Sequence, residues 1–326
     1  MKDLRHILQY LLAGIALAVL SAAVMPIALA ADSPSAENKL PERDKMCTVC
    51  HNESWEKPIL SIYQTRHGVT ADARTPACQS CHGASDAHLN TPANAPDVVF
   101  SKKAGVTAAV QSEQCLACHK SDSNRSHWAG STHESRDVTC ANCHTVHAPK
   151  DKVLSKATQF EVCFACHKDK RAEVNRPSHH PVLEGKVACS DCHNPHGSAG
   201  QGNLKRDNVR DTCFQCHAEK RGPFVHNHQP ATEACTICHN PHGTVVESML
   251  KVRPPFLCQQ CHTPHGGFIP AVIGSQVPGL RPTTPNGVGK GPTNFTQGRG
   301  CLNCHTEVHG SNNPSATNPT PQFLLR

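Results

Sequence analysis

The longest apolar segment of the chain lies close to its N-terminus. Residues 7–24 are mostly apolar, they follow a short basic stretch, and Ala-Leu-Ala at 28–30 supplies the small residues of an export cleavage site. About 18 apolar residues could nearly span a bilayer, but Pro26 and the cleavage site favour removal of the segment. We therefore predict a cleaved signal peptide at residues 1–30.

The rest of the chain predicts few regular elements. Residues 31–46 form a charged lead-in without periodicity, residues 266–300 are rich in glycine, proline, asparagine and threonine, and a polar tail occupies 313–326. We expect irregular structure in all three. Short helices are predicted around the cysteine motifs, for example at 155–170, and strand signals are nearly absent. No second apolar stretch reaches membrane-spanning length, so the mature chain is expected to be soluble.

Cysteine spacing carries the strongest signal in the sequence. All 20 cysteines fall into ten Cys-x-x-Cys pairs, and a histidine directly follows each pair. Cys-x-x-Cys-His is the attachment signature of haem c, in which both thiols bond to the porphyrin and the histidine is the proximal iron ligand. We therefore predict ten covalently bound haems c. The cysteines are Cys47, Cys50, Cys78, Cys81, Cys115, Cys118, Cys140, Cys143, Cys163, Cys166, Cys189, Cys192, Cys213, Cys216, Cys235, Cys238, Cys258, Cys261, Cys301 and Cys304. The proximal histidines are His51, His82, His119, His144, His167, His193, His217, His239, His262 and His305.

Zinc sites and disulfide frameworks also use paired cysteines, but both fit this pattern less well. Zinc sites need four ligands in total and do not require a histidine after every pair. A disulfide framework has an even number of cysteines, but it does not account for ten histidines at the same offset.

Thirteen further histidines of the mature chain could bind the opposite face of an iron. The mature chain has only two methionines, Met46 and Met249, so histidine–methionine ligation cannot be general. Three couples are near-duplicates: His127 and His133, His179 and His180, His226 and His228. We favour His133 and His228, which each precede the next motif by seven residues, whereas spacing does not decide between His179 and His180. The other predicted distal ligands are His67, His88, His147, His196, His242, His265 and His309.

Motifs 4, 6 and 8 continue to Cys-x-x-Cys-His-x-x-His, and most odd-numbered motifs lack this tail. A histidine three residues after a proximal ligand cannot reach the far face of the same haem, so it must bind a neighbouring one. The predicted fold is an elongated multihaem cytochrome c, mostly irregular with short α-helices and little or no β-structure. Its five tandem di-haem modules are predicted at residues 47–112, 113–158, 159–208, 209–254 and 255–312.

Composition and charge refine this picture. Hydrophobic residues make up 37% and aromatic residues 4% of the chain, so we expect porphyrins and iron ligation to replace a conventional core and the apo-chain to be largely unfolded. The formal charge of +6 falls to +5 without residues 1–30. Twenty propionates and ten ferric centres bring it to about −5, or about −15 after reduction, so basic residues are expected to pair with propionates.

Several segments resemble the MtrA/DmsE-type periplasmic decahaem cytochromes, with MtoA and PioA as relatives. The likeness covers roughly residues 47–312, and it is carried by CSDCHNPHGS at 189–198, DTCFQCHAEKRGP at 211–223, CQQCH at 258–262 and the segment 299–312. The resemblance implies a rod-like chain of bis-histidine haems inserted into an outer-membrane β-barrel porin. It also implies that the histidine directly before proline, His180, is the distal ligand of its couple.

Electron transfer is the function expected from these features. Two histidines on every iron leave no open position for a substrate and give low potentials. The leading hypothesis is an outer-membrane electron conduit for metal reduction, sulfoxide respiration or Fe(II) oxidation, located in the periplasm and associated with the outer membrane. Expected partners are a β-barrel porin, an extracellular multihaem cytochrome or external electron donor or acceptor, and a periplasmic or inner-membrane cytochrome c, but no nucleic acid.

The sequence leaves two alternatives to the conduit. A freely diffusing periplasmic shuttle would use the same chemistry. A multihaem reductase would need a five-coordinate haem, often with an altered attachment motif, whereas all ten motifs here are standard. We therefore do not expect an enzyme.

Overall fold

The computed structural model describes residues 41–52, 54, 58–69, 71–101, 105–262, 301–303 and 305–312. The predicted signal peptide, the stretch at 266–300 and the tail at 313–326 lie outside these ranges, as do Cys304 and His265. The chain divides into two compact units, residues 1–48 and residues 49–326, and each is described by itself.

The described part of the first unit is helical. A 3-10 turn at Glu42–Asp44 is followed directly by helix α1, Lys45–Thr48. Pro41, whose ring restricts φ, stands at the cap of the turn, and the Lys45 ammonium lies 2.6 Å from the Glu42 carboxylate. The predicted irregular lead-in to residue 46 is therefore too long, because regular structure begins at residue 42.

The second unit consists of short helices joined by turns. Its α-helices, α2 to α10, are Cys78–His82, Asp86–Asn90, Ala108–His119, Gln159–Cys163, Lys168–Val174, Cys189–Cys192, Val209–Cys213, Gln229–Glu233 and Phe256–Gln259. Its 3-10 turns are Ile59–Gln64, Arg66–Gly68, Ser123–Arg125, Glu134–Arg136, Cys140–Asn142, Lys152–Leu154, Gln201–Asn203, Ala218–Lys220, Cys235–Ile237, Glu247–Met249 and Cys301–Asn303.

A short antiparallel strand pair forms the sheet of the described residues. Strand β1, His226–Asn227, pairs with β2, Gly310–Ser311, and His226 lies opposite Ser311. The side-chain oxygen of Asn312 accepts a hydrogen bond from the Val225 amide at 2.7 Å, which extends the pairing. The expectation of a mostly irregular and helical chain with little sheet is confirmed.

Helices meet the cysteine motifs in two alternating ways. In the odd-numbered motifs a helix leads into the motif and contains its first cysteine, namely Cys47, Cys115, Cys163, Cys213 and Cys258. In the even-numbered motifs a helical turn begins at the first cysteine, namely Cys78, Cys140, Cys189, Cys235 and Cys301. The local structure therefore alternates with a period of two motifs.

The helix predicted at residues 155–170 is in fact two helices, α5 and α6. Residues 164–167 separate them, and the ψ of 63° at His167 lies outside the helical range. The proximal histidine thus ends one helical turn and precedes the next.

Little of the second unit is a conventional apolar core. The buried hydrophobic residues among those described are Val98, Trp128, Phe164, Val174, Val182, Ala188 and Val246. Three of them, Phe164, Val174 and Val182, form one cluster next to motif 5 with Phe160, Leu183 and Val187 packed against it. Because hydrophobic stabilisation scales with apolar area removed from water, the buried protein side chains of the described segments provide only a small hydrophobic contribution to stability.

The Asn-Pro-His-Gly turns after motifs 6 and 8 have the same geometry. The side-chain oxygens of Asn194 and Asn240 accept from the amides of His196 and His242 at 3.1 and 3.2 Å. The glycine that ends each turn donates to the asparagine carbonyl at 3.0 and 3.1 Å. These bonds set the direction in which the tail histidine leaves the chain.

We expect Gly197 to be less replaceable than Gly202. Both have positive φ, +102° and +64°, so alanine at either position costs about 1–2 kcal/mol of backbone strain. A Cβ at Gly197 would also overlap the carbonyl oxygen of His127, whereas nothing lies within 4 Å of one at Gly202. Gly197→Ala should therefore lower the thermal midpoint of the holoprotein, followed by circular dichroism, clearly more than Gly202→Ala. Equal shifts in the two variants would contradict this steric account.

Candidate haem-binding sites

The attachment motifs fold into single helical turns. In motifs 4 to 10 the amide of the proximal histidine donates to the carbonyl oxygen of the first cysteine, four residues earlier, at 2.9–3.0 Å. Motifs 2 and 3 lie within helices α2 and α4. One turn of helix places the histidine next to the cysteines that precede it, as combined covalent attachment and iron ligation require.

Nine proximal histidine rings each lie against one ring of the predicted distal set. The ring centres are 5.9–6.3 Å apart in every case. The pairs, proximal residue first, are His51–His88, His82–His147, His119–His67, His144–His196, His167–His133, His193–His242, His217–His180, His239–His309 and His262–His228. Each of these nine pairs joins one proximal ring with one predicted distal ring. Chance contacts between histidine rings would not show this regularity.

The ring separations fit an iron held between two imidazoles. An imidazole nitrogen binds a metal ion at about 2.0–2.1 Å, and the nitrogen lies about 1.1 Å from its ring centre, so two rings across one ion have centres about 6.2–6.4 Å apart. The observed 5.9–6.3 Å lies at this value or slightly below it. The residues present therefore fit bis-histidine haems.

In eight of these rings a hydrogen bond at Nδ1 turns Nε2 toward the opposite ring of the pair as the nitrogen that can bind a metal. In eight rings Nδ1 lies 2.7–2.9 Å from a backbone carbonyl oxygen: His82, His88, His133, His147, His180, His193, His228 and His239. A carbonyl oxygen only accepts, so Nδ1 carries the proton and the lone pair is on Nε2. Partners of this kind fix the tautomer and the orientation of histidine ligands.

Burial keeps several of these rings in the neutral form that binds metals. Removal from water is the largest cause that lowers the pKa of His51, His82, His119, His196, His242 and His309. A metal-binding imidazole must be deprotonated at the nitrogen it offers, so the environment of these rings favours ligation.

Each near-duplicate couple sends one member to a proximal ring. Those members are His133, His180 and His228. Their neighbours lie elsewhere in the described part of the chain: His127 is exposed, His179 contacts Arg176 and Glu184, and His226 belongs to β1. His265 lies outside the described residues.

The ring pairs connect parts of the chain that are distant in sequence. The histidines that closely follow motifs 4, 6, 8 and 10 lie against the proximal rings of motifs 2, 4, 6 and 8: His147, His196, His242 and His309. Conversely, His67, His133, His180 and His228 lie against the proximal rings of motifs 3, 5, 7 and 9. Each predicted module therefore exchanges histidines with its neighbours.

Cysteines of consecutive motifs lie side by side. First thiols hydrogen-bond in the pairs Cys115–Cys140, Cys163–Cys189, Cys213–Cys235 and Cys258–Cys301. Second thiols are close enough to interact electrostatically in the pairs Cys81–Cys118, Cys143–Cys166, Cys192–Cys216 and Cys238–Cys261. Motifs 2 to 10 thus follow one another in space in their sequence order.

The thiol contacts have a clear electrostatic effect. The hydrogen bond with Cys115 lowers the pKa of Cys140 to about 6, and the bond with Cys213 does the same for Cys235. Once both sulfurs are thioethers they no longer titrate at all.

Comparison with known proteins identifies the family of this chain. Residues 78–159 match the family described as cytochrome c-type protein NrfB-like, and residues 179–222 and 228–267 each match the doubled CXXCH motif. The multihaem cytochrome MtrA of Shewanella baltica (strain OS185) is 40% identical over 282 residues, which are 85% of this chain and 81% of that protein. The chain belongs to the MtrA-type multihaem c-type cytochromes. It therefore carries covalently bound haem c, attached at Cys-x-x-Cys-His motifs.

The two matches to the doubled CXXCH motif pair the attachment motifs of this multihaem cytochrome differently from the predicted modules. They join motif 6 with motif 7 and motif 8 with motif 9, whereas the prediction joined motif 5 with 6 and motif 7 with 8. Since ring pairs cross both kinds of boundary, the division into five modules stays a prediction.

Among the helices that the structure describes, none is long and apolar enough to cross a membrane.

The ring planes divide the pairs into classes that electron paramagnetic resonance can distinguish. The planes are within 12–13° of parallel in His144–His196, His193–His242 and His239–His309, but 68° and 76° apart in His119–His67 and His167–His133. This angle sets the splitting of the d orbitals of a low-spin ferric iron. We expect rhombic signals from the near-parallel pairs and strongly axial signals from the tilted ones. One signal class that accounts for all the iron would contradict the ring geometry.

Proposed function

We propose that this chain is an electron-transfer decahaem cytochrome, the haem-carrying wire of an outer-membrane porin–cytochrome complex. The observation that carries the proposal is the spatial order of motifs 2 to 10, in which each motif lies beside the next, combined with a second imidazole opposite nine proximal ones. Membership of the MtrA-type cytochromes supports it.

In this proposal all ten motifs hold haem c, and ten distal histidines complete the coordination. Nine of them are the partners in the ring pairs. His265 is the tenth, because each of the other nine lies against a different proximal ring and His305 is the proximal residue that remains. Bound haem supplies reversible one-electron exchange between ferric and ferrous iron.

The paired rings favour electron transfer over substrate chemistry. A reductase needs an iron with one open axial position, and in each of the nine pairs a second ring occupies that position. Two fixed imidazoles also keep the coordination the same in both oxidation states, so little rearrangement accompanies electron exchange. The backbone hydrogen bonds to Nδ1 hold the rings in place for this purpose.

The likeness to MtrA-type cytochromes and the predicted export signal support a periplasmic location at the outer membrane. The partners we propose are a β-barrel porin, an extracellular multihaem cytochrome or external donor or acceptor, and a periplasmic or inner-membrane cytochrome c. The same arrangement serves metal reduction, sulfoxide respiration or Fe(II) oxidation.

Adjacent histidines provide a matched test of the ligand assignment. His180 lies 6.2 Å from the His217 ring, whereas His179 contacts Arg176 and Glu184. We expect reduced wild type to bind no carbon monoxide, His180→Ala to bind about one molecule per chain at the freed iron position, and His179→Ala to behave as wild type. Binding by His179→Ala alone would reverse the assignment, and stoichiometric binding by wild type would contradict bis-histidine ligation.

The conduit proposal is tested by purification and reconstitution. We expect a β-barrel porin to co-purify with the tagged chain from outer membranes of its host. Proteoliposomes that contain the complex should oxidise an internal reduced dye when ferric citrate is added outside, and liposomes with the porin alone should not. A chain recovered only as free monomer, with no transfer across the membrane, would instead indicate a diffusing shuttle.

A further inference from the structure

The proximal histidines of motifs 2, 4, 6 and 8 share one hydrogen-bonding arrangement, with a single difference. In His82, His193 and His239, Nδ1 faces the carbonyl oxygens of Val98, Gly202 and Ser248 at 2.9, 2.8 and 2.8 Å. In His144 the same nitrogen faces Oδ2 of Asp151 at 2.7 Å. A carboxylate thus takes the place of a neutral carbonyl group at an otherwise equivalent position.

The surroundings hold Asp151 in this contact. Its side chain is 15% exposed, and its Oδ1 accepts from the Val153 amide at 3.4 Å, at the start of the turn Lys152–Leu154. The ammonium group of the adjacent Lys152 lies instead 2.7 Å from the carboxylate of Glu161. The negative charge of Asp151 is therefore directed at the His144 ring.

Other carboxylates near imidazoles in the described chain are more distant from the ring nitrogen. Glu173 lies 3.4 Å from Nδ1 of His242, and Lys170 lies 3.1 Å from the same carboxylate. Glu219 lies 3.8 Å from Nδ1 of His217, and both side chains are more than half exposed, so water screens the interaction.

The opposite ring of the same pair does not offset the charge of Asp151. Next to His196 the charged groups are Arg125 and Asp122, which pair with each other at 2.6 Å. Their opposite charges offset each other in part at the ring, and among the described side chains the Asp151 carboxylate is the charged group in hydrogen-bond contact with this pair.

We propose that Asp151 is a positioning residue that lowers the reduction potential of the haem at motif 4. The inference rests on the proposed function, in which His144 and His196 bind one iron. A carboxylate that accepts the Nδ1 proton in a charge-assisted hydrogen bond makes the imidazole a stronger electron donor to the iron. The ferric state, which has the higher positive charge, is then stabilised over the ferrous state.

The test uses neutral variants of the full holoprotein. Asp151→Asn and Asp151→Ser both keep an oxygen that can cap the following turn, while Asp151→Glu keeps the charge. Asp72→Asn is the matched control, because it removes one carboxylate that pairs with Arg74 at 2.8 Å and contacts no described imidazole. Haem content is measured first, and each protein is then titrated potentiometrically with absorbance and electron paramagnetic resonance detection.

We expect one haem of the near-parallel class to move to higher potential in the Asn and Ser variants. Its ferrous-to-ferric ratio at fixed potential should rise about tenfold or more, and tenfold corresponds to about 59 mV for one electron. Asp151→Glu should recover part of the wild-type value, and Asp72→Asn should leave the titration unchanged.

Three results would overturn the proposal: unchanged titrations of the neutral variants at full haem content, an equal shift in Asp72→Asn, or loss of haem from both neutral variants. The last would assign Asp151 to assembly of the site instead of its potential. Failure of the proposed function is distinguishable, because it would appear in wild type as high-spin iron or carbon monoxide binding.

Discussion

Two histidines from distant parts of the chain must meet at a fixed separation, and the rest of the structure depends on this constraint. Nine such pairs hold their ring centres 5.9–6.3 Å apart. Among the described residues, too few hydrophobic side chains are buried to set these separations by packing alone. Metal coordination is strong and directional, and it can contribute folding free energy that a small core does not provide. This explains why short helices and single turns suffice as secondary structure.

Hydrogen bonds from Nδ1 of the paired rings to distant backbone carbonyl oxygens link one ring pair to another. Nδ1 of His133 binds the carbonyl oxygen of Pro195, and Nδ1 of His180 binds that of Pro241, each more than sixty residues away. Pro195 and Pro241 directly precede the tail histidines of the next two turns, so one ring pair orients the loop that supplies another. The strand pair at the end of the described chain acts similarly, since Val308 accepts from His228 while His309 lies against His239. Removal of one pair should therefore loosen its neighbours as well.

The attachment chemistry and most of the candidate ligands could be predicted from sequence because both depend on short-range spacing. The Cys-x-x-Cys-His run forms a helical turn in motif after motif from the second onward, and a histidine seven residues before a motif marked His133 and His228. Which ring meets which could not be predicted, since His147 reaches His82 across the chain and no local pattern encodes that distance. The helical start at residue 42, the break at His167 and the β1–β2 pair were missed for a related reason. Each depends on a few backbone angles or long-range bonds and has no periodic pattern.

The contacts between motifs repeat along this chain, but the charges around the proximal histidines do not. The path is periodic, because thiol contacts and ring pairs recur with every second motif. The charges around the rings are not periodic. Asp151 contacts the proximal ring of motif 4, while the proximal rings of motifs 6 and 8 contact neutral carbonyl groups. Ring separations are uniform because the same two metal–nitrogen bonds fit each pair, whereas the free energy of reduction at each motif can vary without changing that geometry. In the proposed electron-transfer chain, a single side chain such as Asp151 can therefore set the potential of one motif, while the histidines and the glycine turns that direct them are constrained by geometry.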